Sequence, residues 1–426
     1  MSARPARLLS GRLQRAPAFE LPFWGLAIFT FFMVTARWSE IFTEIGIYVA
    51  LLGLVLRPAD LRFPPPLRWA TAFLLWAVVT ALFAMSQEAA WPVLIERLKA
   101  LVVFFVVINV IRTPRQLRFF IFLILFAFLI YPARGTLKNY MIGETRFGRV
   151  AWNKIYSNAN DLAGITLLML GWTLAIATVK AQNARIRQAV TFLVPLLLLI
   201  VLLTQSRGVF IGLLVGFGPP LLARWRKLPR MAAPVLILVC VVVLFVVPHA
   251  AWQRLEGITK LTSTAGIAQS DSSARQRFEI LKTGLHIVAT HPVLGVGIGC
   301  YPVANELYAP ELGERDAHNT YVGLAAEMGI PGMLLWLALV GSVLRHVRRR
   351  RAAVEADEQP IGILWIERAI IAYLVAGFFG TYSGLTIFYL ALGTLWVGSS
   401  MLGEDPAPAS GMAIGRRRLK PRQYVR

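Results

Sequence analysis

Apolar stretches of near-membrane length, separated by short basic connections, recur along almost the whole of this chain. The first, LPFWGLAIFTFFMVTA over 21–36, holds no charged residue. A helix needs ~20 mostly apolar residues to cross a bilayer, and within the hydrocarbon it must satisfy all its own backbone groups. Twelve spans are predicted, at 21–36, 41–56, 67–85, 99–111, 118–133, 159–179, 187–204, 208–223, 231–249, 319–345, 361–380 and 383–402. Only 15% of the 426 residues are charged and 57% are hydrophobic, where a soluble domain carries about 25% charge. The fold class that follows is an all-α integral membrane protein.

A net charge of +22 would suit nucleic acid if the cations formed one patch. Instead they alternate with the spans. With the N-terminus in the cytoplasm, the inner segments (the N-terminal arm, 57–68, 112–118, 180–187, 224–230, 345–351 and the C-terminal tail) carry 28 of the 44 lysines and arginines. Short outer connections such as ARWSE (36–40) and TYSGL (381–385) are nearly free of them. This is the positive-inside pattern, so both termini are expected in the cytoplasm. The clusters RHVRRRR and GRRRLKPR are then read as anchors to anionic lipid, and nucleic acid is not an expected partner. The arm with Arg4, Arg7, Arg12 and Arg15 leads into a permanent first span rather than a cleaved signal. Cys240 and Cys300 supply neither a disulfide framework nor metal spacing.

The organisation predicted is nine spans over 1–249, a large outer loop over 250–318, three spans over 319–402 and a basic tail over 403–426. Chemistry is expected on the outer loops, which a rigid scaffold positions. SDSSARQRFEILKTGLHIVATHP (270–292) reads as an amphipathic helix ended by Pro292. Phe278, Leu281, Leu285 and Val288 would form its apolar face, and Arg275, Glu279, Lys282 and His286 its polar one. LGVGIG (294–299) lacks a βαβ setting and is read as a close-packed turn. In LLTQSRGVFIG (202–212), Arg207 sits between two spans at the outer face, placed either to snorkel or to bind an anion. RFGRVAWNKIYSNANDLAG (146–164) adds Arg146, Arg149 and Lys154 on a side where cations are unusual, followed by capping residues Asn158, Asn160 and Asp161.

The most specific stretch is DAHNTYVGLAAEMGIPG, 316–332. Asn319 can cap the helix that follows and so fix where His318 points, and histidine suits proton transfer near neutrality. Asn319 to Arg345 would span about 40 Å as one helix, against a core of roughly 30 Å, so the Gly-Ile-Pro-Gly interruption is expected to break it. His249, His286, His291 and His346 are read as ordinary polar residues.

His318-Asn319, nine residues, Gly329, two residues and Gly332 resembles the signature of the O-antigen ligase and polymerase superfamily. QSRG at 205–208 and ARQRFEIL at 274–281 extend the resemblance over most of the chain. The resemblance implies a lipid-dependent (GT-C type) glycosyltransferase of the bacterial inner membrane, with its active site facing the periplasm. The donor would be a glycan on undecaprenyl pyrophosphate and the leading acceptor lipid A-core, in a metal-independent inverting transfer without cofactor. A polymerase, a protein O-oligosaccharyltransferase and, less favoured, a lipid-linked glycan transporter stay open. It further implies His318, Arg207 and Arg275 as catalytic, with Arg277 two residues on as the competing match for Arg275. Arg146, Arg149, Lys154, Arg277 and Asn319 would contact pyrophosphate or substrate.

Overall fold

The computed structural model describes residues 20–38, 40–145, 148–179, 182–224, 272–353 and 362–402. The predicted span 231–249, the loop up to 271, the N-terminal arm and the C-terminal tail lie outside them. Helices account for the fold, and no β-strand occurs among the described residues. In chain order they are α1 (Leu21–Thr35), α2 (Ile41–Val55), α3 (Pro65–Leu82), α4 (Gln87–Val110), α5 (Pro114–Phe128), α6 (Arg134–Met141), α7 (Ala159–Ala177) and α8 (Ala184–Thr191). They continue with α9 (Leu193–Thr204), α10 (Arg207–Arg224), α11 (Ser272–Thr290), α12 (Tyr301–Tyr308), α13 (Thr320–Ala352), α14 (Ile363–Ala376) and α15 (Thr386–Ser400). Eleven of the twelve predicted spans lie on these helices. Among the described residues, five segments are long and apolar enough to cross a membrane, and α1, α2, Arg207–Ala223 and α15 are shorter apolar helices. The chain is a membrane protein.

Two boundaries differ from expectation for physical reasons. The span predicted at 99–111 belongs to a helix that starts at Gln87, capped by Ser86 through its bond from the Ala89 N–H (3.3 Å). Glu88, Glu96, Arg97 and Lys99 hid its first half. Yet Arg97 is buried there and donates to the Ser383 carbonyl. The span predicted at 118–133 continues through a π-helical turn at Leu129–Ala133 into α6, so the outer loop begins later.

Burial separates central from peripheral helices. Of the Ala159–Ala177 window 89% is buried inside the protein, against 28% for Ala184–Thr204, so α7 is core and α8–α9 present most of their surface outward. Against α7 packs α14, and α10 lies along α14 with Gly212 and Gly216 at the contact. A β-carbon on Gly212 would stand 2.4 Å from the Ala372 carbonyl oxygen. Small residues let helices approach this closely where lipid supplies no hydrophobic drive. That contact fixes α10 and, with it, Arg207.

Helix α13 breaks where the glycine–proline pattern predicts. Gly329 has φ 68 and ψ 174, dividing Thr320–Met328 from the longer segment beyond. A continuous helix would offer the carbonyls of Ala326, Glu327 and Met328 to residues 330, 331 and 332, but residue 331 is proline. Those carbonyls are instead taken by Val296 N (2.9 Å), Gly297 N (2.9 Å) and the Trp76 indole N–H (2.8 Å). Ile330 N donates to the Pro292 carbonyl at 2.8 Å. The 294–299 glycine turn is thus close-packed as expected, and its purpose is to satisfy the broken helix.

The opposite end of the bundle gathers arginines. Arg112 donates to the Asp60 carbonyl (2.6 Å), and Arg57 pairs with Glu20. Arg348 (3.2 Å) and Arg351 (3.1 Å) grip the buried Glu367 carboxylate, so part of the RHVRRRR cluster braces helices rather than lipid alone.

Candidate active site

Four segments meet at the end away from the arginine cluster. The His-Asn pair begins with His318 in the left-handed region (φ 48), an uncommon conformation for a non-glycine residue. This turn carries the imidazole off the line of α13. Asn319 then accepts from the N–H groups of Tyr321 (3.0 Å) and Val322 (3.1 Å), the cap predicted for it. Thr320, next in line, donates to the Gly380 carbonyl (2.7 Å) and accepts from Tyr382 N (2.9 Å).

Tyr382 ties this segment to the others. Its hydroxyl donates to the Asn160 carbonyl at 2.9 Å, and its own carbonyl accepts from Tyr373 at 3.1 Å. The Asn160 amide oxygen accepts from Arg149 (2.6 Å) and Ser206 (2.9 Å), while Arg149 also donates to the Thr204 carbonyl (2.7 Å). Gln205, at φ 52, turns the chain between α9 and α10 and donates to the Gly148 carbonyl (2.9 Å). Arg207 follows as the first residue of α10, half-buried. Capping of α7 falls to Asn158, which accepts from Asn160 N at 2.8 Å. Asn160 is instead the junction of the site.

Helix α11 forms where the amphipathic pattern places it, but with a different inner face. Ile280 and Ile287 are buried, and Gly284 lies against Val322 and Tyr301. Leu285, predicted on the apolar face, is 54% exposed. Arg277 stands one turn before Ile280 on the inner face and is half-buried, whereas Arg275 projects from the exposed side. Arg277 lies within electrostatic reach of His318, Arg207 and Tyr382. Of the two candidate arginines on this helix, the structure brings Arg277 to His318 and Arg207.

The electrostatics follow from that packing. Burial holds the His318 imidazole below the usual histidine range. Arg277 and Arg315 act in the same direction, and Asp316 opposes them. Burial likewise lowers Arg277 and raises the Tyr382 phenol, which stays protonated. Asp161 lies within reach of Asp316 and Tyr382 and completes the cluster. A neutral imidazole beside two guanidinium groups can accept a proton where an anion is bound.

Lys154 is held elsewhere: its ammonium donates to the Trp38 carbonyl (3.0 Å) and stands 3.5 Å from Glu40. Arg146 lies outside the described residues. Of the remaining histidines, His291 bonds the Tyr308 hydroxyl at 2.9 Å and His286 meets the same ring edge-on, while His346 stacks on Trp396; His249 lies outside the described residues. Tyr382, Ser206 and Thr320 were not singled out from sequence, since TYSGL reads as a bare connection and QSRG draws attention only to its arginine.

No curated protein matches the chain. Residues 192–337, about a third of its length, match the family model described as O-antigen ligase. That segment holds Arg207, Arg277, His318 and the Gly329 break together. Over that segment, which includes the His-Asn motif, the chain is similar to the O-antigen ligase family.

Proposed function

We propose that this protein is an O-antigen ligase, moving a glycan from undecaprenyl pyrophosphate to lipid A-core at the periplasmic face of the bacterial inner membrane. The observation that carries the reading is His318, turned out of its helix with its imidazole held below the usual range beside Arg277, which itself lies within reach of Arg207. The donor diphosphate sits between these two arginines, whose planar forks each give parallel hydrogen bonds to phosphate oxygens. Arg149 braces the pocket through Asn160. The lipid chain lies against apolar helices.

An acceptor hydroxyl, as it attacks the anomeric carbon, gives its proton to His318. A new glycosidic C–O bond forms on one face while the bond to the diphosphate breaks on the other, which inverts the anomeric configuration. The polyprenyl diphosphate leaves with the electron pair, and its growing charge is met by Arg207 and Arg277 without metal.

Two tests address this reading. Purified protein is incubated with lipid-linked glycan and rough lipopolysaccharide in EDTA. Laddered lipopolysaccharide supports the ligase; longer glycan still on its carrier means a polymerase, and glycan on protein means a protein ligase. In the same assay, Arg277→Gln and Arg207→Gln each lower transfer by about 10²–10³-fold, the cost of one transition-state donor. Arg275→Gln stays within a few-fold of the parent. A larger loss at Arg275 than at Arg277 would overturn the assignment.

A further inference from the structure

Arg97 belongs neither to the candidate site nor to the arginine cluster at the opposite end of the bundle. It is 5% exposed and follows Gln87 by ten residues, about 15 Å along the axis of α4 and close to the middle of that helix. An ionisable side chain so deep in a span is costly, and its partners show what it is for. Its Nη1 donates to the Ser383 carbonyl, and its Cζ stands 6.0 Å from the centre of the Phe73 ring. Gly384 lets the 381–385 connection lie close, since a β-carbon there would already stand 3.4 Å from Nη1. Glu327, on the capped segment of α13, is within electrostatic reach and accepts from Tyr301 N at 3.4 Å.

The 381–385 connection is held by bonds of two kinds. Local ones fix its shape: the Tyr389 hydroxyl donates to the Ser383 carbonyl at 2.9 Å, and Tyr373 donates to the Tyr382 carbonyl at 3.1 Å, six and nine positions away. Distant ones fix its place. Tyr382 bonds Thr320 and the Asn160 carbonyl, and Arg97 reaches Ser383 from 286 positions away. Thr320 and Asn160 are parts of the site, so they move with it. Helix α4, packed against α15, α3 and α2, is the fixed reference. The Tyr389 phenol already satisfies one lone pair of the Ser383 carbonyl, so satisfaction alone does not call for a buried charge. A charged donor holds its acceptor more strongly than a neutral one, and a buried ion can select one arrangement over its neighbours.

We infer that Arg97 is a positioning residue for glycan transfer: through Ser383 it sets the height of Tyr382, and through Tyr382 the alignment of His318 with the turn that carries Arg207. The inference rests on the transfer proposed above and holds for any acceptor. Proton transfer tolerates misalignment less than diphosphate binding does, so the role of Arg97 falls on turnover.

The test is Arg97→Met, whose flexible apolar chain fills the space beside Phe73. Turnover falls by about 10–10²-fold, the effect of a misplacement near 1 Å, while undecaprenyl pyrophosphate binds with the parent's stoichiometry and nearly its affinity. Arg97→Lys keeps a charged donor for the Ser383 carbonyl and returns turnover to within about fivefold of the parent. Parental turnover in Arg97→Met, or turnover lost only in proportion to lost binding sites, overturns the inference. Should Arg97→Met not fold, R97M/E327Q removes both buried charges and is read against Glu327→Gln alone. Amide hydrogen exchange separates this inference from the proposed function. In the arginine variant, residues 379–385 and 318–322 exchange about tenfold faster than in the parent, whether or not transfer is detected. Unchanged exchange there refutes the anchoring. Equal transfer by His318→Ala and the parent refutes the proposed chemistry instead.

Discussion

His318→Ala lowers glycan transfer by ~10²–10⁴-fold, the range for loss of a general base, and leaves the protein folded. Folding survives because the capping of α13 belongs to Asn319, and no hydrogen bond among the described residues engages the imidazole. Alanine at φ 48 incurs a left-handed penalty similar to the one histidine already bears, about 1–2 kcal/mol. The pH profile makes the prediction sharper. The active form is neutral, so transfer falls as pH drops through the imidazole pKa, which burial and Arg277 hold below the ordinary value. Arg277→Gln removes a lowering influence, so the acid limb of its residual activity moves to higher pH. Asp316→Asn removes a raising one, and its limb moves to lower pH. Limbs that stay in place in both variants would show that another group sets the profile.

Gly329→Ala is expected to be as damaging to folding as His318→Ala is to transfer. A β-carbon there would stand 1.8 Å from the Val293 carbonyl oxygen, a backbone atom that cannot rotate aside. The residue also sits at φ 68, ψ 174, which suits only glycine. Conformational strain and overpacking at ~1–3 kcal/mol each give a loss of ~2–6 kcal/mol. Gly341 supplies the control on the same helix: nothing lies within 4 Å of its would-be β-carbon. Gly341→Ala should match or slightly exceed the parent in thermal unfolding followed by size exclusion, since alanine is the better helix former. Equal stability of Gly329→Ala and the parent would mean that the break is not sterically enforced.

Much of this was legible in the sequence, and the gaps have physical causes. Apolar runs located the helices because the bilayer sets their length. The run after Gln87 was cut short because Arg97, buried against the 381–385 connection, reads locally as an exposed charge. Helix α11 was legible, but its inner face was not: Ile280, Gly284 and Ile287 pack inward while Leu285 faces out, so apolar residues on both sides did not single out the buried one. His318, Asn319 and Arg207 stand out from local pattern. Asn160, Ser206 and Tyr382 act through bonds spanning 46 and 222 positions of chain, which no local window contains.

The segment Thr320–Met328 is held at both ends by different partners. Thr320 and Asn319 fix its beginning, and the Trp76 indole and the 294–299 turn fix its end. Such a segment has no freedom to roll about its own axis. The interval between the His-Asn pair and Gly329 is therefore a rotational register. One residue added or removed within it would swing His318 by about 100° around the helix relative to Gly329 and move it ~1.5 Å along the axis. The length of the interval is what the geometry constrains, and the gap of nine residues sets the angle at which His318 is aimed.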